Sequence, residues 1–180
     1  MNLFILRHAS AGTRRTNPTV DVKRQLDKDG KRQCIQLGHV LNALSVNFDL
    51  IISSPLKRSL QTAQLVGTET GYETPILISP ALAPGADFPQ FQRLLHEAAA
   101  YENVMVVGHN PNITTFLIQL LSGHNNDRSR NPPRIRLRKG SIARLNMQRG
   151  AVLQWLLDPR VVRELYTTST KSSRRKTSRK

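Results

Sequence analysis

The sequence predicts an α/β fold, a three-layer sandwich in which a mostly parallel central sheet carries helices on both faces and ends in a C-terminal hairpin. Three observations predict it. Short apolar runs alternate with stretches of helical periodicity along most of the chain, the pattern of successive βα units and hence of parallel strands. Residues 104–107, Val-Met-Val-Val, are apolar without interruption, as a strand covered on both faces must be. Residues 142–147 and 152–157 read as two strands around the turn Gln148-Arg149-Gly150, which adds an antiparallel hairpin at one side.

Each element follows in order. Residues 3–6 form the first strand candidate. Cys34, Leu37, Leu41 and Leu44 then recur at helical spacing and predict a helix face. Residues 50–52 give a second strand, and Leu56, Leu60 and Ala63 a second helix that stops near Gly67 or Gly71. Residues 75–79 read as a short strand. Residues 88–100 read as a helix with Phe91, Leu94, Leu95 and Ala98 inward. The strand at 104–107 is followed by an apolar helix over 113–121 and a polar loop over 122–133. Arg134, Arg136 and Arg138 alternate with Ile135 and Leu137, which predicts a strand with one positive, wet face.

The chain of 180 residues is long enough for one domain with a sizeable core and shows no internal repeat. Its single cysteine, Cys34, rules out an intrachain disulfide framework and suits a reducing compartment; on a helix face it reads as a small buried apolar residue. The first residues offer only four apolar positions before Arg7 and His8, too few for a secretory signal. No run reaches the roughly 20 apolar residues of a membrane span. A cytoplasmic location and no membrane partner are the expectation.

The net charge is +15, and six of the basic residues crowd into residues 171–180 without an acid, leaving +9 on the rest. With almost nothing to bury, residues 166–180 are expected to be a basic, unstructured tail after a domain over 1–165. The tail reads as a solvated end; the alternative is an arm for nucleic acid or an acidic partner, through electrostatics without specificity. No aromatic residues interleave the basic positions as base-stacking platforms would.

Chemistry concentrates where strands end. The first strand runs into Arg7-His8, the second into Ser53-Ser54-Pro55 with Arg58 just beyond, and the fourth into Gly108-His109-Asn110-Pro111. Ligands of open α/β sheets sit beyond the carboxyl ends of the strands, so these distant segments are expected to meet. Ser54-Pro55 and Asn110-Pro111 each look like a capping residue followed by proline at the first helical position, and helix N-termini favour phosphate. Two guanidiniums and two imidazoles without a carboxylate on these segments describe an oxyanion site. No H-x-x-x-H or H-E-x-x-H motif and no cysteine pair occurs, so neither a metal nor another cofactor is expected. His39 and His96 read as structural helix residues, and His124 lies in the polar loop.

At these residues the chain resembles the histidine phosphatase superfamily, and within it the small SixA-type phosphohistidine phosphatases. The matching stretches are Leu6-Arg7-His8-Ala9, the eleven residues from Ser53 to Ala63, and Val107-Gly108-His109-Asn110-Pro111. Residues 82–87 and 140–143 match more weakly. The stretches stand in family order and span roughly residues 1–160. The resemblance implies a histidine-phosphatase-like fold in which His8 is the phosphorylated nucleophile and Arg7, Arg58 and His109 bind the phosphoryl oxygens. Such transfer rests on positioning and on stabilising the equatorial oxygens.

Two departures matter. Ala9 stands where many superfamily members have glycine, as in part of the SixA-type group. The chain leaves little room for the insertion that carries an acidic proton donor in larger members, and after Ser79 it offers Asp87, either as that acid or as a loop-capping aspartate. Imidazole leaves more easily than an alkoxide, so phosphohistidine on a partner protein is the expected substrate. A small phosphorylated metabolite is the alternative.

Overall fold

The computed structural model describes residues 1–14, 16–123 and 132–177. Strand β1 (Asn2–Arg7) buries Leu3, Phe4, Ile5 and Leu6 completely. Beyond the loop that follows it come a short helix α1 (Pro18–Val22), helix α2 (Lys28–Ala43), strand β2 (Leu50–Ser53) and helix α3 (Lys57–Glu69). Strand β3 (Leu77–Ile78), a 3-10 turn at Pro80–Leu82, helix α4 (Phe88–Glu97), strand β4 (Asn103–Gly108) and helix α5 (Asn112–Ser122) continue the alternation. Strands β5 (Ile142–Asn146) and β6 (Val152–Leu157) form the hairpin, and helix α6 (Pro159–Thr177) ends the described chain.

The six strands make one sheet in the order β3-β2-β4-β1-β5-β6. The first four are mutually parallel, and β5 and β6 are antiparallel. Pairing aligns the carboxyl ends that matter: Arg7 of β1 lies beside Gly108 of β4, and Ser53 of β2 lies beside Val107. Side chains alternate across the sheet. Phe4, Leu6, Ile51, Met105 and Val107 pack under α2, α3 and α6, whereas Leu3, Ile5, Ile52, Val104 and Val106 pack under α4 and α5. The chain therefore changes face at β4, and a crevice opens beside that strand's carboxyl end.

Local chemistry explains how α2 reaches this crevice. Asp27 caps the helix, its Oδ1 accepting from Gly30 N at 2.7 Å. A side chain at Gly30 would meet the Ser10 carbonyl oxygen at 1.9 Å, so glycine lets the helix lie against the loop that follows β1. Cys34, Leu37 and Leu41 form a buried stripe, whereas Leu44, predicted on the same face, caps the end of the helix and is exposed; burial pushes the Cys34 thiol up to about 12.

Several expectations are corrected. The Arg134–Arg138 alternation is not a strand: residues 132–138 are irregular. The place beside β1 belongs to β5, and the Leu137 carbonyl accepts side-chain donors from Arg7 and Asn110 instead of a neighbouring strand. Neither proline opens its helix as predicted. Leu56 is the N-cap residue of α3 and Pro111 that of α5, while Ser54 Oγ meets both Leu56 N and His109 Nε2 and Asn110 Nδ2 donates to the Leu137 carbonyl. The strand expected over 75–79 shrinks to Leu77–Ile78, and α4 stops at Glu97. Helix α6 runs past residue 165, where composition predicts an unstructured tail; Val162 is buried, and Tyr166 meets His39 of α2 edge-on at 5.0 Å. The loop over 122–133, with His124, lies largely outside the described residues. Among the described residues no helix is long and apolar enough to cross a membrane.

Candidate active site

The carboxyl ends of β1, β2 and β4 close on a cleft of about 810 Å³ whose lining includes Arg7, His8, Arg58 and His109. The four residues named from sequence thus come together. Arg7 ends β1 and His8 follows it, with its backbone N–H on the Gly108 carbonyl at 3.0 Å. Arg58 stands in the first turn of α3. His109 follows β4, and its ring centroid lies 5.0 Å from that of His8.

His8 is 5% exposed. Its Nδ1 lies 2.8 Å from the Ala9 carbonyl oxygen; a carbonyl only accepts, so Nδ1 carries the proton and Nε2 keeps a free lone pair. Burial pushes the imidazole down to about 3, with Arg58, Arg7 and Lys139 adding to the effect and the Ala9 hydrogen bond opposing it. The ring is neutral near pH 7. Ala9 is itself held, its N–H donating to Thr62 Oγ1 at 3.1 Å while that hydroxyl donates to the Arg58 carbonyl at 2.7 Å. One threonine therefore ties the nucleophile candidate to the helix that bears Arg58.

His109 is bound the opposite way round. Its Nε2 lies 2.8 Å from Ser54 Oγ and 3.1 Å from Ser59 Oγ. Ser54 Oγ also accepts from Leu56 N; with the serine hydroxyl donating to Nε2, the ring proton sits on Nδ1. That Nδ1 is buried without a hydrogen-bond partner. Burial, followed by His8, Arg58, Arg24 and Arg7, drives His109 down to about 2, so the ring is neutral near pH 7.

The two arginines are anchored at one end. Arg7 Nη1 donates to the Leu137 carbonyl at 2.8 Å. Arg58 Nη1 donates to the Asp21 carbonyl at 2.9 Å and lies 3.3 Å from the Asp21 carboxylate. Both Nε–H groups are buried without a partner. A buried unsatisfied donor costs about 1–3 kcal/mol, and three of the four such atoms among the described residues belong to Arg7, Arg58 and His109. Together they form a set of donors suited to an oxyanion.

Asp87 does not join them. Its Oδ1 accepts from Gln90 N at 2.8 Å while Gln90 Oε1 accepts from Asp87 N at 2.9 Å, a capping box that starts α4. Asp87 is absent from the cleft lining, and of its two readings the capping aspartate is the one its hydrogen bonds match. Asp21 is the one acid among the described lining residues, and it pairs with Arg24 at 2.8 Å as well as with Arg58. His39 and His96 sit on helices away from the cleft, as expected. No group of His, Cys, Asp and Glu arranged to hold a metal occurs among the described residues. Sequence reasoning missed Ser59, Thr62, Asp21 and Lys139. Ser59 and Thr62 adjoin Arg58 in the run that already stood out, and Lys139 immediately precedes Gly140-Ser141.

Comparison with known proteins agrees with this geometry. The profile of the histidine phosphatase superfamily (branch 1) matches residues 3–84, which include Arg7, His8 and Arg58. An uncharacterized protein from Picosynechococcus is 31% identical over 116 residues, 63% of this chain and 68% of the relative. The fold matches the protein histidine phosphatase SixA complexed with tungstate at a TM-score of 0.75, with 21% identity, 88% of this chain and 97% of that one covered. It also matches the alpha-ribazole phosphatase from Shigella flexneri at a TM-score of 0.62, with 19% identity and 86% and 97% covered. A relative of this identity and coverage, a family profile holding three of the four cleft residues and a shared SixA-type fold lead to one assignment: the chain belongs to the histidine phosphatase superfamily.

Proposed function

We propose that this protein is a phosphatase that takes a phosphoryl group onto Nε2 of His8, and that its substrate is phosphohistidine on a protein. The observation that carries the reading is the state of His8: neutral, protonated on Nδ1 against the Ala9 carbonyl, with Nε2 free in a cleft that Arg7, Arg58 and His109 also line.

The steps balance without a protein acid. The His8 Nε2 lone pair forms a bond to phosphorus as the substrate's N–P bond breaks, and that electron pair returns to the substrate ring. A substrate ring protonated on its other nitrogen departs as neutral imidazole. Arg7, Arg58 and the His109 Nδ1–H offset charge on the equatorial oxygens. Water then attacks phosphorus, the His8 N–P bond breaks with its electron pair returning to the ring, and the product leaves as dihydrogen phosphate carrying the water's oxygen and both its hydrogens. His8 also departs as neutral imidazole, because Nδ1 stays protonated against the Ala9 carbonyl. This splits one displacement into two easier ones.

Asp21 supports the choice of substrate. Its carboxylate is taken up by Arg24 and Arg58 in place of a leaving group, which suits a nitrogen leaving group better than an alkoxide. The second reading, a small phosphorylated metabolite, is supported by the alpha-ribazole phosphatase and by the phosphoserine phosphatase from Entamoeba histolytica, both with this fold. Brief reaction with labelled phosphohistidine protein, followed by mapping of acid-labile phosphate, tests the proposal. Label on His8, and its loss in His8→Ala with loss of turnover, is expected; undiminished turnover in that variant would overturn it.

A further inference from the structure

The cleft holds more positive charge than one phosphoryl group uses. Its described lining carries Arg7, Arg14, Arg24, Arg58 and Lys139 against the single acid Asp21. Arg24 is committed to the frame, with Nε on Asp21 at 2.8 Å and Nη1 on the Ala11 carbonyl at 2.7 Å. Arg7 and Arg58 line the cleft with buried Nε–H groups that have no partner. A bound phosphoryl dianion matches these two, which leaves Lys139 and Arg14 on the rim.

Both rim cations are built into the architecture. The backbone N–H of Gly140, at φ +81, donates to the Arg7 and His8 carbonyls at 3.1 and 3.2 Å, which fastens Lys139 beside the nucleophile's own strand end. Lys139 Nζ donates to the Gly12 carbonyl at 3.3 Å, and two of its three hydrogens remain for another acceptor. Gly12 N–H is in turn held by Asp27 Oδ2 at 2.7 Å. That anchors the loop two residues before Arg14, which is exposed at the mouth of the cleft. Burial, with Arg24 and Arg7 nearby, pulls the Lys139 ammonium below the ordinary lysine range against the opposing pull of Asp27. An anion at the rim would relieve that crowding.

We propose that Lys139 and Arg14 form a second anion subsite, so that the preferred substrate carries a carboxylate next to its phosphoryl group. Resting on the phosphohistidine reading, this means a phosphohistidine flanked by Asp or Glu on an acidic face of the partner protein. Charges arranged this way give partner selection and encounter rate more than bulk affinity.

The test compares two synthetic phosphohistidine peptides that differ only in Glu or Gln beside the phosphohistidine, at low salt, with wild type and the Lys139→Gln/Arg14→Gln double variant. Wild type is expected to favour the acidic peptide by about tenfold in kcat/KM, and the double variant by about twofold or less. Equal turnover of the two peptides by wild type, or an undiminished preference in the double variant, would overturn the subsite. If wild type cleaves neither peptide, the phosphohistidine reading fails separately. The same comparison then runs on 3-phosphoglycerate against glycerol 3-phosphate, where a carboxylate preference lost in the double variant upholds the subsite and its absence refutes it.

Discussion

His109 Nε2 lies 2.8 Å from Ser54 Oγ, which leaves the buried, unpartnered Nδ1 as the ring nitrogen open to a ligand. Ser59 Oγ, at 3.1 Å from the same nitrogen, reinforces it. Ser54 is the residue that sequence reading assigns to a helix cap; in the structure its hydroxyl meets this imidazole as well as Leu56 N.

The first prediction tests that contact. Ser54→Ala should lower kcat by about five- to tenfold with a smaller change in KM, since one hydrogen bond of about 1 kcal/mol is lost. Ser54→Ala/Ser59→Ala, which frees the ring to place its proton on Nε2, should approach the ~100-fold loss that follows removal of an oxyanion donor. Steady-state kinetics and thermal melting, measured together, separate this from unfolding. An unchanged kcat in the folded double variant would refute the tautomer's role.

Arg58 offers a second. Arg58→Lys keeps a positive charge but loses the fork that lets Nη1 hold the Asp21 carbonyl at 2.9 Å while Nε remains for the substrate. An ammonium cannot serve both ends. The expected loss in kcat/KM is about 100-fold or more, and a lysine variant within a few-fold of wild type would show that charge alone suffices.

Stability should fall on acidification. His8 is held at about 3 and His109 at about 2 in the folded protein, against an ordinary value of about 6.5 in the unfolded chain. Between these limits the unfolded chain binds more protons, so stability rises with pH and is lost as pH drops from about 6.5 towards 3. Denaturant midpoints should decline across that window, and His109→Gln should decline less steeply than wild type. Equal slopes for the two proteins would contradict the depressed value at His109.

Much of this arrangement is legible in sequence because it is local. Strand ends at Arg7-His8, Ser53 and Gly108-His109 announce themselves by apolar runs followed by polar residues, and parallel pairing brings them together without further information. The errors lie where side chains decide against backbone habit. Ser54 and Asn110 have the composition of caps, yet a neighbouring imidazole and the Leu137 carbonyl compete for them successfully. Arg134, Arg136 and Arg138 alternate like a strand, but alternation cannot reveal that β5 already occupies the sheet position. Lys139 and Asp21 acquire meaning only through partners more than a hundred residues away or across the cleft.

Asp87 provides the last prediction, because its two readings give opposite results. A general acid lies within reach of the leaving group, and its removal lowers kcat sharply on substrates with poor leaving groups. A capping aspartate shared with Gln90 contributes about 1 kcal/mol to the helix it starts, or about 2–4 °C in Tm for a chain of this size. The reciprocal bonds at 2.8 and 2.9 Å and the position outside the cleft lining favour the second. Asp87→Ala should therefore melt a few degrees lower while kcat on phosphohistidine protein and on a phosphomonoester stays within about twofold of wild type. Asp87→Ser, which retains a cap, should recover most of the Tm. A kcat that collapses on the phosphomonoester alone, with Tm intact, would restore Asp87 to the chemistry and show that the loop before α4 rearranges when substrate binds.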